Sequence, residues 1–344
     1  MAPPPRRPRL PATHEVSRHL GRYRQRRAHS DDGAAAAALP AAGNSRGEPP
    51  PRHLPAAPQA DGSLDSPRAG RCDYDGGVSL VACVQLRSGP DIAANLARVD
   101  HWVGKAAAHG AVLVATPENT TLLTSPERKV ALAEALDGPT HLALGEIARR
   151  HGVWLLVGSV AEACAVDARR CHNTSVLYDS AGTLVAHYRK LHLFDIDLAD
   201  GTHFRESAHI APGDDVVVAD TPVGLLGLSI CYDLRFPELY RRLVDAGAEL
   251  ISVPSAFTLT TGRDHWHALL RARAIEAQAY VLAPAQEGPH RPGRHSYGHS
   301  LIVDPWGPVL ADCADGEGVV LGEVDLGRVA EVRRGMPVGG HRRL

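Results

Sequence analysis

Cys231 lies at the junction between a predicted strand and a predicted helix. Residues 223–230 are apolar and contain glycines, which is typical of a short buried strand. Pro237 and Glu238 then begin a helical run, with proline in the first turn, where its missing N–H costs nothing. Such a turn resembles a nucleophile elbow, the sharp turn that lifts a reactive atom out of the sheet. A nearby helix N-terminus favours the thiolate, which is the form that attacks. Cys231 is therefore a candidate nucleophile, and the alternative is a small buried hydrophobe.

Two other reactive side chains also follow short predicted strands. Glu118 comes just after residues 111–115, and Lys190 ends a predicted hairpin formed by residues 173–178 and 184–188. Open α/β sheets place their sites at the carboxyl ends of strands, where these groups are expected to lie. Taken singly, Glu118 could be a helix-capping acid and Lys190 a solvated hairpin end.

Strands and helices alternate around these groups. Apolar residues at positions 92, 96, 99, 103 and 106 form one helical stripe, and further helices are predicted at 139–150 and 265–278. The remaining main strands are predicted at 78–86, 153–157, 216–218, 249–253, 280–284, 300–303 and 319–324. Because these strands are too apolar to face water, the pattern predicts an α/β fold whose sheets are covered on both faces.

The N-terminal region differs in composition from the rest of the chain. The first 70 residues contain 12 of the 26 prolines, one aromatic residue and 11 arginines against 6 acidic residues. Such a segment buries too little apolar surface to offset the entropy of ordering. We therefore expect residues 1–77 to be a disordered extension and residues 78–344 to form a single domain.

Charge and composition exclude several classes of function. The formal net charge is −2, and the excess of five positive charges in the first 70 residues leaves the remainder near −7, which does not predict a nucleic-acid surface. No apolar run reaches membrane-spanning length, so a soluble, cytoplasmic protein is expected. Two functional interpretations of the arginine-rich start are an organelle-targeting presequence and a polyanion-binding arm. An unselected N-terminal extension fits the composition better than either. Neither the six scattered cysteines nor the histidines show metal-ligand spacing.

Three motifs in register carry a family resemblance. They are Pro-Glu-Asn around Glu118, Tyr-Arg-Lys-Leu-His-Leu-Phe-Asp around Lys190, and Cys-Tyr-Asp-Leu-Arg-Phe-Pro-Glu from Cys231. In type, order and spacing they resemble the glutamate, lysine and cysteine motifs of the nitrilase (carbon–nitrogen hydrolase) superfamily, over about residues 80–343. Downstream segments, among them Leu-Leu-Arg-Ala-Arg-Ala-Ile-Glu at 269–276, are similar to the amidase branch that contains deaminated glutathione amidases and omega-amidases.

The resemblance implies an architecture and a set of partners. The fold would be a four-layer αββα sandwich that forms a homodimer, and no metal or organic cofactor would be needed. The substrate would be a small carboxylate-bearing amide, with no nucleic-acid or membrane partner.

The resemblance also implies a role for each site residue. Cys231 would attack the amide carbonyl and form a thioester, and Glu118 would transfer the protons, best with a pKa that burial raises toward neutrality. Lys190 and the backbone N–H of Tyr232 would stabilise the oxyanion. Glu206 would lie beside the site and orient Lys190 or the substrate.

Other residues in and around the motifs receive structural interpretations. His192, Asp233 and Arg235 are expected to form internal hydrogen bonds and ion pairs. Lys105 and Lys129, the only other lysines after residue 77, are expected to tolerate replacement by arginine.

Two positions depart from the family pattern. His267 replaces a common glutamate, and Glu287 replaces a small or thiol residue, so both are expected to affect substrate choice or the subunit interface. Arg271 and Arg273 are interface or packing residues, or ligands for a substrate carboxylate.

The first functional hypothesis is hydrolysis of deaminated glutathione to 2-oxoglutarate and cysteinylglycine. An omega-amidase acting on 2-oxoglutaramate is the main alternative, and nitrile hydrolysis is less favoured. A non-catalytic binding protein that retains the fold is the alternative from a different class.

Overall fold

The computed structural model of the protein describes residues 77–197, 203–291 and 294–343. The predicted disordered extension, apart from its last residue, lies outside these ranges. The helices are α1 (Ile92–Ala108), α2 (Pro126–Ala131), α3 (Pro139–His151), α4 (Pro237–Asp245), α5 (Leu259–Ala277) and α6 (Leu326–Gly335). Within the described ranges, none of them is long and apolar enough to cross a membrane.

The described strands form two large sheets and two small hairpins. The strands are β1 (Ser79–Gln85), β2 (Leu113–Ala115), β3 (Trp154–Ala163), β4 (Cys171–Tyr178), β5 (Leu184–Arg189), β6 (Asp195–Asp197), β7 (His203–Arg205), β8 (Val218–Thr221), β9 (Gly224–Leu228), β10 (Leu250–Ser252), β11 (Tyr280–Ala283), β12 (Glu287–Arg291), β13 (Arg294–Tyr297), β14 (Leu301–Val303), β15 (Val309–Asp312) and β16 (Gly318–Val324). The first sheet has the order β16-β1-β2-β3-β4-β5 and the second β15-β14-β11-β10-β9-β8. In each sheet three central strands run parallel, β1-β2-β3 and β9-β10-β11, so their carboxyl ends lie on one edge.

Alternation along β1 shows that the first sheet is covered on both faces. Val81 and Cys83 belong to the core cluster shared with the second sheet, whereas Ala82 and Val84 pack with residues of α1 and α3. All four side chains are fully buried. Because successive strand residues point to opposite faces, β1 lies between a helical layer and the other sheet.

Helices α4 and α5 cover the outer face of the second sheet. A Cβ on Gly227 of β9 would lie 3.2 Å from the Leu243 side chain of α4, so the helix approaches the strand very closely. Trp266 and Leu270 of α5 are buried in the same core cluster. The order helix, sheet, sheet, helix confirms the predicted four-layer αββα sandwich.

The main elements agree with the sequence-based prediction, and the differences have local causes. Helix α5 begins at residue 259 rather than 265, because the Thr258 hydroxyl caps it by accepting from the Thr261 N–H. Helix α2 has no fully buried residue, so it lacks the apolar stripe from which a helix can be recognised. Helix α6 buries only Val329 and Val332.

Candidate active site

The fold brings Glu118, Lys190 and Cys231 together at the edge where the strands end. Glu118 follows β2, Lys190 follows β5, and Cys231 follows β9. The Lys190 Nζ donates to Glu118 Oε1 over 3.0 Å, and the Cys231 thiol shares a side-chain hydrogen bond with Glu118. All three line one pocket of about 440 Å³.

The backbone at Cys231 has a conformation that L-residues rarely adopt. Its φ is +49°, in the left-handed region, and its N–H donates to the Pro254 carbonyl over 3.0 Å. Cys231 opens a 3-10 helix, Cys231–Arg235, that separates β9 from α4, and α4 begins at Pro237 as predicted. A non-glycine residue in this region is strained, and such strain is characteristic of sites that present a reactive group.

Asp233 holds this turn in place from inside the protein. Its fully buried carboxylate accepts from the Tyr188 hydroxyl at 2.7 Å and from the Ile230 N–H at 2.8 Å, and it lies 2.7 Å from His192 Nδ1. These contacts confirm the interpretation of His192 and Asp233 as scaffolding. Arg235 differs, because it lines the pocket with its guanidinium 5.5 Å from the centre of the Phe257 ring.

Lys190 is held between two carboxylates. Its side chain is 2% exposed, and besides Glu118 its Nζ donates to Glu206 Oε2 at 2.9 Å and Oε1 at 3.1 Å. Burial by itself lowers the pKa of Lys190, but the negative charges of Glu118 and Glu206 outweigh burial and raise the pKa well above its ordinary value. Lys190 is therefore an ammonium at neutral pH.

Glu118 is ionised, and its pKa lies below rather than above its ordinary value. Burial acts to raise its pKa, but the charge of Lys190 and hydrogen bonds from Cys231 and Lys190 outweigh burial and hold the pKa below its ordinary value. Its oxygens also accept from Asn173 Nδ2 and from the Ala256 N–H, both at 2.9 Å. Burial therefore does not bring the pKa of Glu118 toward neutrality, because the buried carboxylate has a buried cation beside it.

The Cys231 thiol is neutral, which is contrary to expectation. Burial raises its pKa, the negative charge of Glu118 raises it further, and the opposing charge of Lys190 does not compensate. The helix N-terminus is expected to favour the thiolate, but α4 begins six residues after Cys231, and Glu118 shares a hydrogen bond with the thiol. The site at rest thus consists of a neutral thiol beside an ionised carboxylate.

Glu206 lies beside Lys190, and Asn173 links it to Glu118. Glu206 opens a short 3-10 helix after β7, and its Oε2 accepts from the Phe194 N–H at 2.7 Å. The Asn173 amide reaches both carboxylates, at 2.9 Å to Glu118 and 3.4 Å to Glu206. Asn173 is a buried β4 residue that sequence reasoning missed, because nothing distinguishes it locally from its neighbours.

The pocket wall is rich in cationic side chains. Besides Lys190 it includes Lys129, Arg205, Arg235 and Arg294. Helix α2 places the Lys129 side chain in the pocket wall, and its expected tolerance of arginine stays a prediction. There it donates to Asn119 Oδ1, and burial lowers its pKa.

The residues that depart from the family pattern do not line this pocket. Glu287 accepts from Arg87 Nε at 2.8 Å instead. Two of the three arginines of α5 serve packing, since Arg271 donates to the Gly307 carbonyl at 2.9 Å and Arg273 to the Leu234 carbonyl at 2.8 Å. Neither Glu287 nor His267 lines the pocket, so an effect of either residue on substrate choice or on the subunit interface stays a prediction.

Tyr232 follows Cys231 in the same 3-10 turn, and its side chain lines the pocket. Its ring meets that of Phe194 edge-on, with centroids 5.1 Å apart, so the turn is packed against the segment that follows Lys190. Hydrogen bonding from its backbone N–H to an oxyanion stays a prediction.

Comparisons with known proteins agree with this geometry. A sequence profile of the carbon-nitrogen hydrolase family matches residues 80–334. A Synechocystis protein named deaminated glutathione amidase is 42% identical over 265 residues, which cover 76% of this chain and 97% of that protein. The crystal structure of the Caenorhabditis elegans NitFhit protein is similar with a TM-score of 0.74 at 41% identity, over 78% of this chain and 65% of that chain. Saccharomyces cerevisiae Nit3, a member of branch 10 of the nitrilase superfamily, gives a TM-score of 0.70 at 32% identity, over 78% and 97% of the two chains.

Proposed function

The chain belongs to the carbon–nitrogen hydrolase family, and we propose that it is an amidase that hydrolyses deaminated glutathione with Cys231 as its nucleophile. The observation that carries this proposal is the contact of an ionised Glu118 with both the Cys231 thiol and the Lys190 ammonium in one pocket. A thiol, a proton acceptor and a cation within reach of one another can cleave an amide by acyl transfer.

The first half of the reaction forms a thioester. Cys231 Sγ attacks the amide carbonyl while its proton passes to Glu118, since a neutral thiol beside a carboxylate needs this transfer to become nucleophilic. The charge that develops on the carbonyl oxygen is stabilised by Lys190 and the backbone N–H of Tyr232. When the C–N bond breaks, Glu118 returns the proton to the leaving amine.

The second half releases the acid. Glu118, ionised again, removes a proton from a water molecule whose oxygen attacks the thioester carbonyl. The C–S bond then breaks and the proton on Glu118 returns to the Cys231 sulfur. Glu206 and Asn173 are positioning residues in this scheme, because they hold Lys190 and Glu118.

The cations of the pocket support a substrate that carries carboxylates. Lys129 forms no ion pair among the described residues, whereas Arg205 already pairs with Asp197, with Nη2 at 2.7 Å from Oδ2. A carboxylate next to Lys129 would gain a charge-assisted hydrogen bond, which is stronger than a neutral one. The 2-oxo-acyl part of deaminated glutathione has such a carboxylate.

A panel of three substrates tests the proposed specificity. We expect kcat/KM to be highest for deaminated glutathione, lower for 2-oxoglutaramate, and lower by roughly 100-fold or more for intact glutathione. Intact glutathione carries an ammonium where the keto group would sit, and burying this charge next to cations is costly. Amine or ammonia release is measured, with Cys231→Ala as the blank.

Each outcome of the panel has a clear meaning. Equal or better use of glutathione would reject the specificity, and a preference for 2-oxoglutaramate would make the chain an omega-amidase. No release from any amide would favour the non-catalytic binding protein.

Replacing Lys129 tests the recognition of the carboxylate. We expect Lys129→Met to raise KM for deaminated glutathione by roughly 10- to 100-fold with kcat changed only a few-fold, because a hydrogen bond to a charged group is lost. Lys105→Met, on the exposed side of α1, is the control. An unchanged KM would show that Lys129 does not contact the substrate.

The homodimer implied by the resemblance and the cytoplasmic location expected from the hydropathy pattern stay predictions. A small-molecule amide as substrate is consistent with the amidases to which the chain is similar.

A further inference from the structure

Two histidines and an aspartate meet on the surface, outside the pocket wall described above. His267 Nε2 lies 2.9 Å from Asp312 Oδ2, and His299 Nδ1 lies 2.9 Å from Asp312 Oδ1. One potential ligand atom from each residue can be chosen such that all three lie within 4.8 Å of one another. The three residues come from α5, from the loop before β14, and from the end of β15.

We propose that His267, His299 and Asp312 bind one divalent transition-metal ion of the zinc class. Two imidazole nitrogens and one carboxylate oxygen suit Zn²⁺, Ni²⁺ or Cu²⁺ much better than Mg²⁺ or Ca²⁺, which prefer oxygen ligands. Ligands of a tetrahedral zinc ion lie about 2.0–2.2 Å from the metal and hence about 3.3 Å from one another. The two histidine–aspartate separations of 2.9 Å join different oxygens of Asp312, and ligand atoms of the three residues lie within 4.8 Å of one another, so modest side-chain movements bring them to this spacing.

The ligands are held in place before any ion binds. His299 has a φ of +58°, its carbonyl accepts from the Trp266 indole N–H at 2.8 Å, and its ring stacks on Tyr297 with centroids 4.5 Å apart. His267 directly follows Trp266 in α5, so the same buried tryptophan anchors both histidine positions. Restricting ligand side chains in this way reduces the entropy lost on binding.

An ion can reach this site from solvent. The side chains of His267, His299 and Asp312 are 34%, 31% and 35% exposed, so each is partly supported by the protein and partly open. Three protein ligands also leave a fourth position for water. The ion would connect α5 to the β14–β15 hairpin, which are distant in sequence, and would therefore stabilise the folded domain.

Metal titrations of matched variants test the site. The full-length chain with Cys231→Ala is used as background, so that the pocket thiol cannot bind the metal. We compare this protein with His267→Gln and Asp312→Asn versions, and with a His187→Gln version as the control, because His187 is an exposed histidine on β5. Zn²⁺ binding is followed by calorimetry, and the ligands are identified from nitrogen hyperfine coupling in the electron paramagnetic resonance spectrum of bound Cu²⁺.

We expect one site in the background protein and in the His187→Gln control, with two coordinated nitrogens. The affinity should fall at least tenfold in both cluster variants, in line with loss of a ligand. Saturating Zn²⁺ should raise Tm by roughly 5 °C in the background protein and not in His267→Gln.

Two results would overturn the proposal. One is binding that is equally strong in His267→Gln and in the background protein, and the other is the absence of any saturable site. The proposal does not depend on amidase activity, so its failure would leave the proposed function unaffected.

Discussion

Glu118→Gln is expected to lower kcat by roughly 10²- to 10⁴-fold while the protein still folds. Glutamine retains the size of the side chain and can still accept from the Ala256 N–H, but it cannot take up the thiol proton. Since the Cys231 thiol is neutral in the resting site, its attack depends on this transfer. The later transfers of a proton to the leaving amine and from the attacking water also require the Glu118 carboxylate.

The same substitution should lower the pKa of the Cys231 thiol. In the native site the charge of Glu118 and its hydrogen bond both raise that pKa, whereas Lys190 lowers it. Removing the negative charge leaves the cation, so the thiolate forms at a lower pH than in the wild type. We thus expect more thiolate and less turnover in one variant, a combination that loss of structure would not produce.

Steady-state kinetics and thiolate absorbance as a function of pH measure these two effects. The absorbance is corrected with the corresponding Cys231→Ala proteins, and circular dichroism checks the fold. A thiol that titrates at the same pH or higher in Glu118→Gln would contradict the electrostatic account. A kcat within a few-fold of wild type would remove Glu118 from the role of general base.

The positions of the reactive groups could be predicted from sequence because local patterns encode them. A short apolar strand followed at once by Glu118 or Cys231 places either residue at the carboxyl end of a strand. Within each sheet the parallel central strands end on one edge, and the packing of the two sheets brings Glu118 of the first sheet beside Cys231 of the second. The position of each residue at the end of its strand is therefore predictable from local sequence.

The protonation states could not be predicted in the same way, because they depend on partners distant in sequence. Glu118 meets Lys190 from 72 residues away and Asn173 from 55 residues away. Burial alone raises the pKa of a carboxylate, and only the identity of its buried neighbour reverses the direction. No feature of the residues around Glu118 indicates that neighbour.

Lys129 illustrates a different limit of sequence reasoning. The helix that carries it has six residues, none of them fully buried, so no hydrophobic periodicity marks it. The same limit applies to His267, His299 and Asp312. They are separated by 32 and 13 residues along the chain, and this spacing matches no metal-binding motif. Tertiary structure alone brings such residues together.

Lys190→Arg is expected to lower kcat by roughly 10²- to 10³-fold, the usual effect of losing an oxyanion donor. A single ammonium nitrogen serves Glu118 Oε1 at 3.0 Å and the two oxygens of Glu206 at 3.1 and 2.9 Å. A guanidinium distributes its donors over a plane and cannot place them all at that point. With only 2% of the Lys190 side chain exposed, a larger group must also displace its neighbours.

The control for Lys190→Arg must be a lysine away from the pocket. Lys105→Arg meets this need, because Lys105 is exposed on α1, whereas Lys129 lines the pocket and cannot serve as a neutral reference. We expect Lys105→Arg to keep wild-type kinetics and Tm. Lys190→Arg should fold, with a Tm lower by several degrees because of overpacking.

Steady-state kinetics on both variants, with circular dichroism as the folding check, show whether the site requires the position of the Lys190 nitrogen or only its positive charge. If position matters, the loss in Lys190→Arg appears mainly in kcat, because the interaction with the oxyanion exists only in the transition state. If only charge matters, arginine keeps the ionised state of Glu118 and activity stays within a few-fold of wild type. That second result would assign oxyanion stabilisation to the backbone N–H of Tyr232. The role of Lys190 would then be to keep Glu118 ionised.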